Sequence, residues 1–302
     1  ALYDAGASIF RAQENTRGPM VISIISNVMN IVGNGILIWV FHMGVAGAAI
    51  STLVSRIFCA VVVLYQLRKD RQPIVVRDYL KIRPDGKMIG RILALGIPSG
   101  IENSMFQLGK LAIQSTVSTL GTTAIAAQAM TNMLEMLNGT AVIGVGIGLM
   151  TVVGQSLGAG RKDEAVYYMK KLMAFSEVFL IACCAVVYVL ARPITMIGGM
   201  EAKSAEMCLD MMFWITIVKP IVWMFAFIPA YGMRAAGDVK FSMITSCITM
   251  WTFRFCLCVY LIRVCGMGPM AVWIGMFTDW TVRAIVFGLR FKSGKWMEHK
   301  VV

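Results

Sequence analysis

Histidine is nearly absent from this chain: 302 residues contain only His42 and His299. That scarcity removes most zinc centres and most imidazole acid–base chemistry. Charge is scarce as well, at 15% of residues, where a soluble domain averages about 25%. The eight cysteines, Cys59, Cys183, Cys184, Cys208, Cys247, Cys256, Cys258 and Cys265, form no CxxC pair. Almost all lie inside apolar stretches, so they read as small polarizable packing residues rather than metal ligands or disulfide partners. Gly158 and Gly160 in LGAG lack a following GK[ST] and a preceding strand, so they read as a turn after a long helix. No nucleophile–base pair and no metal set is present, so neither enzyme activity nor a bound cofactor is expected. An initiator Met and a signal-peptide pattern are also missing, and residues 1–13 read as the tail of a helix already under way.

What the chain has is apolar length. Apolar residues make up 58% and mean hydropathy is +0.73. A bilayer core about 30 Å thick takes roughly 20 apolar residues per helical crossing. The apolar stretches supply that length repeatedly, which defines an all-α polytopic membrane protein with about eight complete spans and one partial one. The expected spans are 19–42, 45–67, 95–118, 123–152, 166–191, 205–233, 240–264 and 270–290. Pro19 suits the first turn of its span. Residues 68–91, with Pro73 and Pro84, form a basic linker, with a short surface helix expected near 85–95.

The net charge of +12 is distributed rather than patched. Eight Lys/Arg fall between Arg68 and Arg91, and smaller groups lie at Arg11/Arg17, Arg161/Lys162/Lys170/Lys171, Arg234/Lys240 and Arg290/Lys292/Lys295/Lys300. Each group ends an apolar stretch, which is the bias of cytoplasmic loops, whereas a nucleic-acid footprint clusters on one face. No nucleic-acid partner is expected; the partner is the lipid bilayer. Basic loops (11–18, 68–91, 158–165, 234–240, 290–302) alternate with loops poor in positive charge (43–45, 119–122, 192–204, 263–268). The alternation places 68–91 and the C-terminus in the cytoplasm.

The chain also repeats itself. One constant shift places Arg11-Ala12 on Arg234-Ala235, Ala7 on Ala230, Met20 on Met243, Ser23 on Ser246 and Ile25 on Ile248. Arg17 then meets Lys240 and Asn15 meets Asp238; after one inserted residue, Ile50 meets Ile274. Residues 1–67 thus correspond to the end of a second, six-span half. The expectation is that roughly 130 residues precede this chain, with the two halves related by an axis along the membrane normal.

GIPSGIENSMFQLGKLAIQ, LGTTAIAAQAM, MTVVGQSLGAGRKDEAVYYMKK and MRAAGDVKFSM resemble the multidrug and toxic compound extrusion (MATE) transporters. ALYDAGASIF through Arg56 is similar to that family's fourth to sixth helices. The resemblance implies two six-helix lobes: the end of the N-terminal lobe in 1–67, a cytoplasmic linker in 68–91 and the C-terminal lobe in 92–302. It implies alternating access in the plasma membrane, as a monomer, exporting cationic or amphipathic small molecules against Na⁺ or H⁺ entry. It also implies a first-lobe cation site at Asn30, Asn34 and Thr52, where Asn34 stands in place of the family's aspartate. Many members carry a glutamate eight residues after the seventh helix's proline; here that residue is Phe106, and Glu102 lies one turn earlier. A lipid-linked oligosaccharide flippase of the same superfamily is the competing expectation.

Ionisable residues inside spans are functional candidates in any case, since each costs about 2.5–3.5 kcal/mol at the bilayer centre. They are Glu102, Lys110, Glu135, Glu177, Lys219, Arg254, Asp279 and Arg283. Glu102 and Glu135, with Gln107 and Lys110, are expected to line a cavity, Glu102 as the coupling acid or as an ion pair with Lys110. Lys219, Asp279 and Arg283 are expected to snorkel at an interface, and Arg254 to brace helices.

Overall fold

Every regular element among the described residues of the computed structural model is helical, as a chain this apolar requires once water is absent to satisfy its backbone. The structure describes residues 2–13, 15–68 and 85–298; most of the linker 68–91 lies outside them. Contacts divide the chain into two compact units, Ala1–Asp85 and Gly86–Val302.

The first unit holds α1 (Leu2–Ala12), α2 (Arg17–Gly35), which runs on as a π-helical turn over Ile36–Val40, and α3 (Gly44–Leu67). Gly6 lies so close to Val63 that a β-carbon there would collide with it, which lets α1 pack against α3. Phe10, Ile22, Cys59, Val63 and Leu67 form the small core.

The second unit holds α4 (Gly86–Val117), α5 (Thr122–Gly158), α6 (Lys162–Ile197) and α7 (Ala202–Ala235). Then come α8 (Val239–Thr249), a π-helical segment (Met250–Cys256), α9 (Leu257–Arg263) and α10 (Met270–Lys292). The helices run longer than the apolar stretches within them. α5 has 37 residues, roughly 55 Å at 1.5 Å per residue, so its ends project past a 30 Å core. Turns with glycine at positive φ punctuate them, at Gly121, Gly160, Gly199 and Gly237, where a β-carbon is strained.

Seven helical segments among the described residues are long and apolar enough to cross a membrane, one fewer than the eight expected. α4 is the difference. At 32 residues it is long enough, but it carries Lys87, Arg91, Glu102 and Lys110 among its apolar residues. Nor is there a separate surface helix near 85–95: residues 86–91 are the first turns of α4 itself.

The second unit is apolar outside and polar inside. On α6, Val178, Val189 and Ile197 are 69%, 72% and 87% exposed, while Lys219, Asp279 and Arg283 are buried. In water that arrangement would be unfavourable; in lipid it is required, because ionisable groups must face the bundle interior.

Candidate functional site

Most of the buried charges of the second unit are paired, two pairs across helices and one within α10. Glu135 Oε1 on α5 accepts from Lys219 Nζ on α7 at 2.5 Å, and the Glu135 carbonyl accepts from the same nitrogen at 3.0 Å. Glu102 Oε1 on α4 accepts from Arg234 Nη2, near the C-terminal end of α7, at 2.7 Å. Arg283 Nε donates to Asp279 Oδ1 one turn back on α10 at 2.7 Å. The same guanidinium reaches Ser246 on α8, donating to Oγ and to the carbonyl oxygen at 3.1 Å each.

Two expectations are corrected here. Lys219, Asp279 and Arg283 do not snorkel: Lys219 and Asp279 are fully buried, and all three are ion-paired. Glu102 pairs with Arg234 and not with Lys110. Lys110 lies two turns along its own helix from Glu102 and turns its ammonium onto Phe106 instead, 4.9 Å from the ring centroid. Arg234 sits in the last turn of α7, beside the basic stretch 234–240, and loop-charge counting treats such a residue as a topology signal. Only the packing of α4 against the bundle shows that its side chain turns inward.

A cavity of about 870 Å³ opens on this unit, with Lys110, Leu111 and Met136 exposed among its lining residues. α4 contributes Gln107 and Lys110, α5 contributes Gln128, Asn132 and Glu135, and α7 contributes Trp223 and Phe227. Arg254 of the π segment and Trp280 of α10 complete the lining. Three of the expected site residues, Gln107, Lys110 and Glu135, therefore share one cavity. Gln128 is fixed between two neighbours, accepting from Trp273 Nε1 at 3.1 Å and donating to Asn132 Oδ1 at 3.3 Å.

Glu102 lies instead in an adjoining cavity of about 130 Å³, with Asn103, Tyr231 and Arg234. Phe106 and Phe227 line both cavities. Glu102 Oε2 is buried without a hydrogen-bond partner, leaving one carboxylate oxygen free to accept. α7 holds Pro220 and Pro229 within its length, and the residues between them, Trp223 and Phe227, form the aromatic wall. Their rings stack at 4.9 Å, and Trp280 meets Phe227 edge-on at 6.5 Å.

In the first unit, Asn30, Asn34 and Thr52 also come together. Asn30 Nδ2 donates to Thr52 Oγ1 at 3.2 Å, and Asn34 Nδ2 donates to Asn30 Oδ1 at 3.3 Å. Ser51 and Ser55 of α3 join the network. Asn34 Oδ1 is buried and unpartnered. Among the described residues no three His, Cys, Asp or Glu side chains converge as a metal site would require.

Apolar crossing-length helices with ion pairs and cavities among them define a multi-pass α-helical membrane protein. A family model described as MatE matches residues 98–260, more than half of the sequence, and the chain belongs to that family. A second model, described as lipid II flippase MurJ, is similar over residues 2–82. The probable multidrug resistance protein NorM of Thermotoga maritima is 26% identical over 98% of this chain and 64% of its own length. The uncharacterized transporter YisQ of Bacillus subtilis is 24% identical over 99% of this chain and 66% of its own. The chain thus spans about two-thirds of the length of these relatives. A solved structure described as the outward-facing conformation of a multidrug resistance MATE family transporter has the same fold. Its TM-score is 0.85 at 19% identity, covering 98% of this chain and 67% of that one.

Proposed function

We propose that the protein is a secondary active exporter of small molecules, coupled to Na⁺ or H⁺ entry, in which the six-helix unit forms one wall of the transport cavity. The carrying observation is a carboxylate with a free oxygen, Glu102 Oε2, in a small cavity that shares Phe106 and Phe227 with the 870 Å³ cavity. A proton or Na⁺ reaching Glu102 competes with Arg234 for the carboxylate. Its arrival loosens the tie between α4 and the end of α7, and its release restores it. Substrate in the larger cavity touches the same two rings. Occupancy of one cavity is therefore felt at the other, which antiport needs. Asn30, Asn34 and Thr52 supply neutral oxygens for a second cation contact. MatE membership and the names of the multidrug-resistance relatives support the reading.

The protein acts in the plasma membrane as a monomer, without cofactor or catalytic step, with its C-terminus in the cytoplasm. A second reading, transbilayer movement of a lipid-linked headgroup, draws on the MurJ similarity over residues 2–82.

Everted membrane vesicles containing the full-length protein provide the test. An imposed Na⁺ or proton gradient should drive uptake of ethidium or 2-naphthyl phosphate. Glu102→Gln should reduce that uptake to the level of empty vesicles at unchanged membrane abundance. Normal uptake by this variant would rule out Glu102 and leave Glu135 as the coupling acid. Gradient-independent movement of a fluorescent lipid phosphate, without uptake of either soluble probe, would favour the flippase.

A further inference from the structure

Three ion pairs and two further cations gather around the cavities of the six-helix unit, so the signs do not balance there; Glu177 and the Asp238–Arg290 pair line neither cavity. The carboxylates are Glu102, Glu135 and Asp279, bound to Arg234, Lys219 and Arg283 respectively. Two cations remain, Lys110 and Arg254. Neither side chain makes an ion pair or hydrogen bond to a described residue, and both turn onto one ring. Lys110 Nζ lies 4.9 Å and Arg254 Cζ 5.2 Å from the Phe106 centroid.

Arg254 is only 6% exposed, and its Nε is buried with no partner. A bracing arginine looks different. Arg283, whose Cζ also lies 5.9 Å from the Phe106 centroid, spends three nitrogens on Asp279 and Ser246. A phenyl face attracts a cation but does not neutralise it, and a buried charge without a counter-ion is costly. The π-helical segment Met250–Cys256 carries Arg254, and such segments recur at functional sites because they re-aim a side chain.

Lys110 and Arg254 line the same 870 Å³ cavity. Glu135 is the one carboxylate among its described lining residues, and Lys219 already holds it. Opposite stand the neutral donors Gln107, Gln128 and Asn132 and the aromatic wall of Trp223, Phe227 and Trp280.

We propose that this cavity binds an amphipathic organic anion, a phosphate or carboxylate head held by Lys110 and Arg254 with an aromatic or apolar body against Trp223, Phe227 and Trp280. The assignment rests on the cavity being part of a transport path. It takes the opposite sign from the cationic substrates that the family resemblance implies. A cation entering here meets two positive charges that no direct ion pair holds, the nearby carboxylates Glu135 and Asp279 being bonded to Lys219 and Arg283, whereas an anion supplies a direct counter-ion and the missing acceptors for the Arg254 fork.

Binding to the full-length protein in phosphatidylcholine nanodiscs, with no ion gradient, tests this by microscale thermophoresis. The probes are 2-naphthyl phosphate and (2-naphthylmethyl)trimethylammonium, which share a body and differ in charge. The phosphate should bind at least about tenfold tighter. Lys110→Met and Arg254→Gln should each weaken it about tenfold, a charge-assisted contact's worth, without weakening the ammonium probe. Arg254→Lys should retain most of the affinity, which separates loss of charge from loss of fold. Equal or tighter binding of the ammonium probe would overturn the inference, as would undiminished phosphate binding by both Lys110→Met and Arg254→Gln. Tight phosphate binding without gradient-driven uptake would overturn the transport reading and leave the anion site standing. Uptake with no preference for the phosphate probe would do the reverse.

Discussion

At the scale of single residues, the interior charges differ in what their loss should do. Lys219 is fully buried and bound to both the carboxylate and the carbonyl of Glu135. Removing it strands a carboxylate in low dielectric, which typically costs 3–5 kcal/mol, about as much as a small domain's whole margin. Lys219→Met should therefore lower the detergent-solubilised thermal midpoint sharply, and Glu135→Gln added to it should restore most of the loss. If the double variant were no more stable than the single one, the pair would not be the reason Lys219 is buried. The residues foreseen as site candidates were visible because ionisable and amide groups are rare within apolar runs. Which partner each would take was not visible. Glu102 lies two turns from Lys110 in sequence and bonds instead to Arg234, 132 positions away.

At the scale of elements, the π segment and the helix facing it decide where Arg254 points. Gly275 of α10 lies against this segment so closely that a β-carbon would stand 2.9 Å from the Arg254 carbonyl oxygen. Backbone cannot yield as a flexible side-chain end can. Gly275→Ala should therefore push the π segment away, with a cost of about 1–3 kcal/mol, the usual penalty of overpacking. The same change should weaken 2-naphthyl phosphate binding while leaving the Glu102–Arg234 pair intact. Unchanged stability and binding in Gly275→Ala would show that the segment adjusts freely. Gly109 makes a similar approach to Met250, but there the obstacle is a thioether end, which can move. A parallel alanine change at Gly109 should be milder, and comparing the two midpoints checks whether backbone proximity is what matters.

At the scale of the whole molecule, the helix order and the charge at helix ends carry the topology. If each of the six passes of the second unit crosses the membrane, the turns at 158–162 and 235–239 share a side with the start of α4 and the end of α10. Those are the basic ends, with Lys87, Arg161, Lys162, Lys240, Arg290 and Lys292, which argues for the cytoplasm. In a variant with the native cysteines replaced, Ser118→Cys should react with an impermeant maleimide added outside intact cells and Asp85→Cys should not. The reverse pattern would invert the whole arrangement. Because Gly86–Val302 is a compact unit with its own core, expression of residues 86–302 alone should yield a helical, cooperatively melting membrane protein by circular dichroism. A gradual, non-cooperative melt would show that the unit depends on the rest of the chain. The internal repeat has a structural echo in the turns themselves. Asn15 N donates to the Phe10 carbonyl at 3.0 Å, and Asp238 N donates to the Met233 carbonyl at 2.9 Å. The two bonds coincide under the shift that superposes Arg11 on Arg234.

The sequence by itself determined the class, the run of helices and the short list of polar residues with a role inside them. Those follow from composition and hydropathy, which act locally and leave their mark residue by residue. It did not determine that α4 is one helix from Gly86 onward, because the charges of that helix resemble a surface segment until their partners are in place. Nor could it settle the sign of the cavity. Five cations and four carboxylates, Glu177 among them, read along the chain as mixed charge. Only packing pairs Glu102, Glu135 and Asp279 with one cation each and leaves Lys110 and Arg254 without an ion pair at the ring of Phe106. The Glu102–Arg234 and Glu135–Lys219 pairs join side chains of two helices within 3 Å, and neither helix carries that information alone.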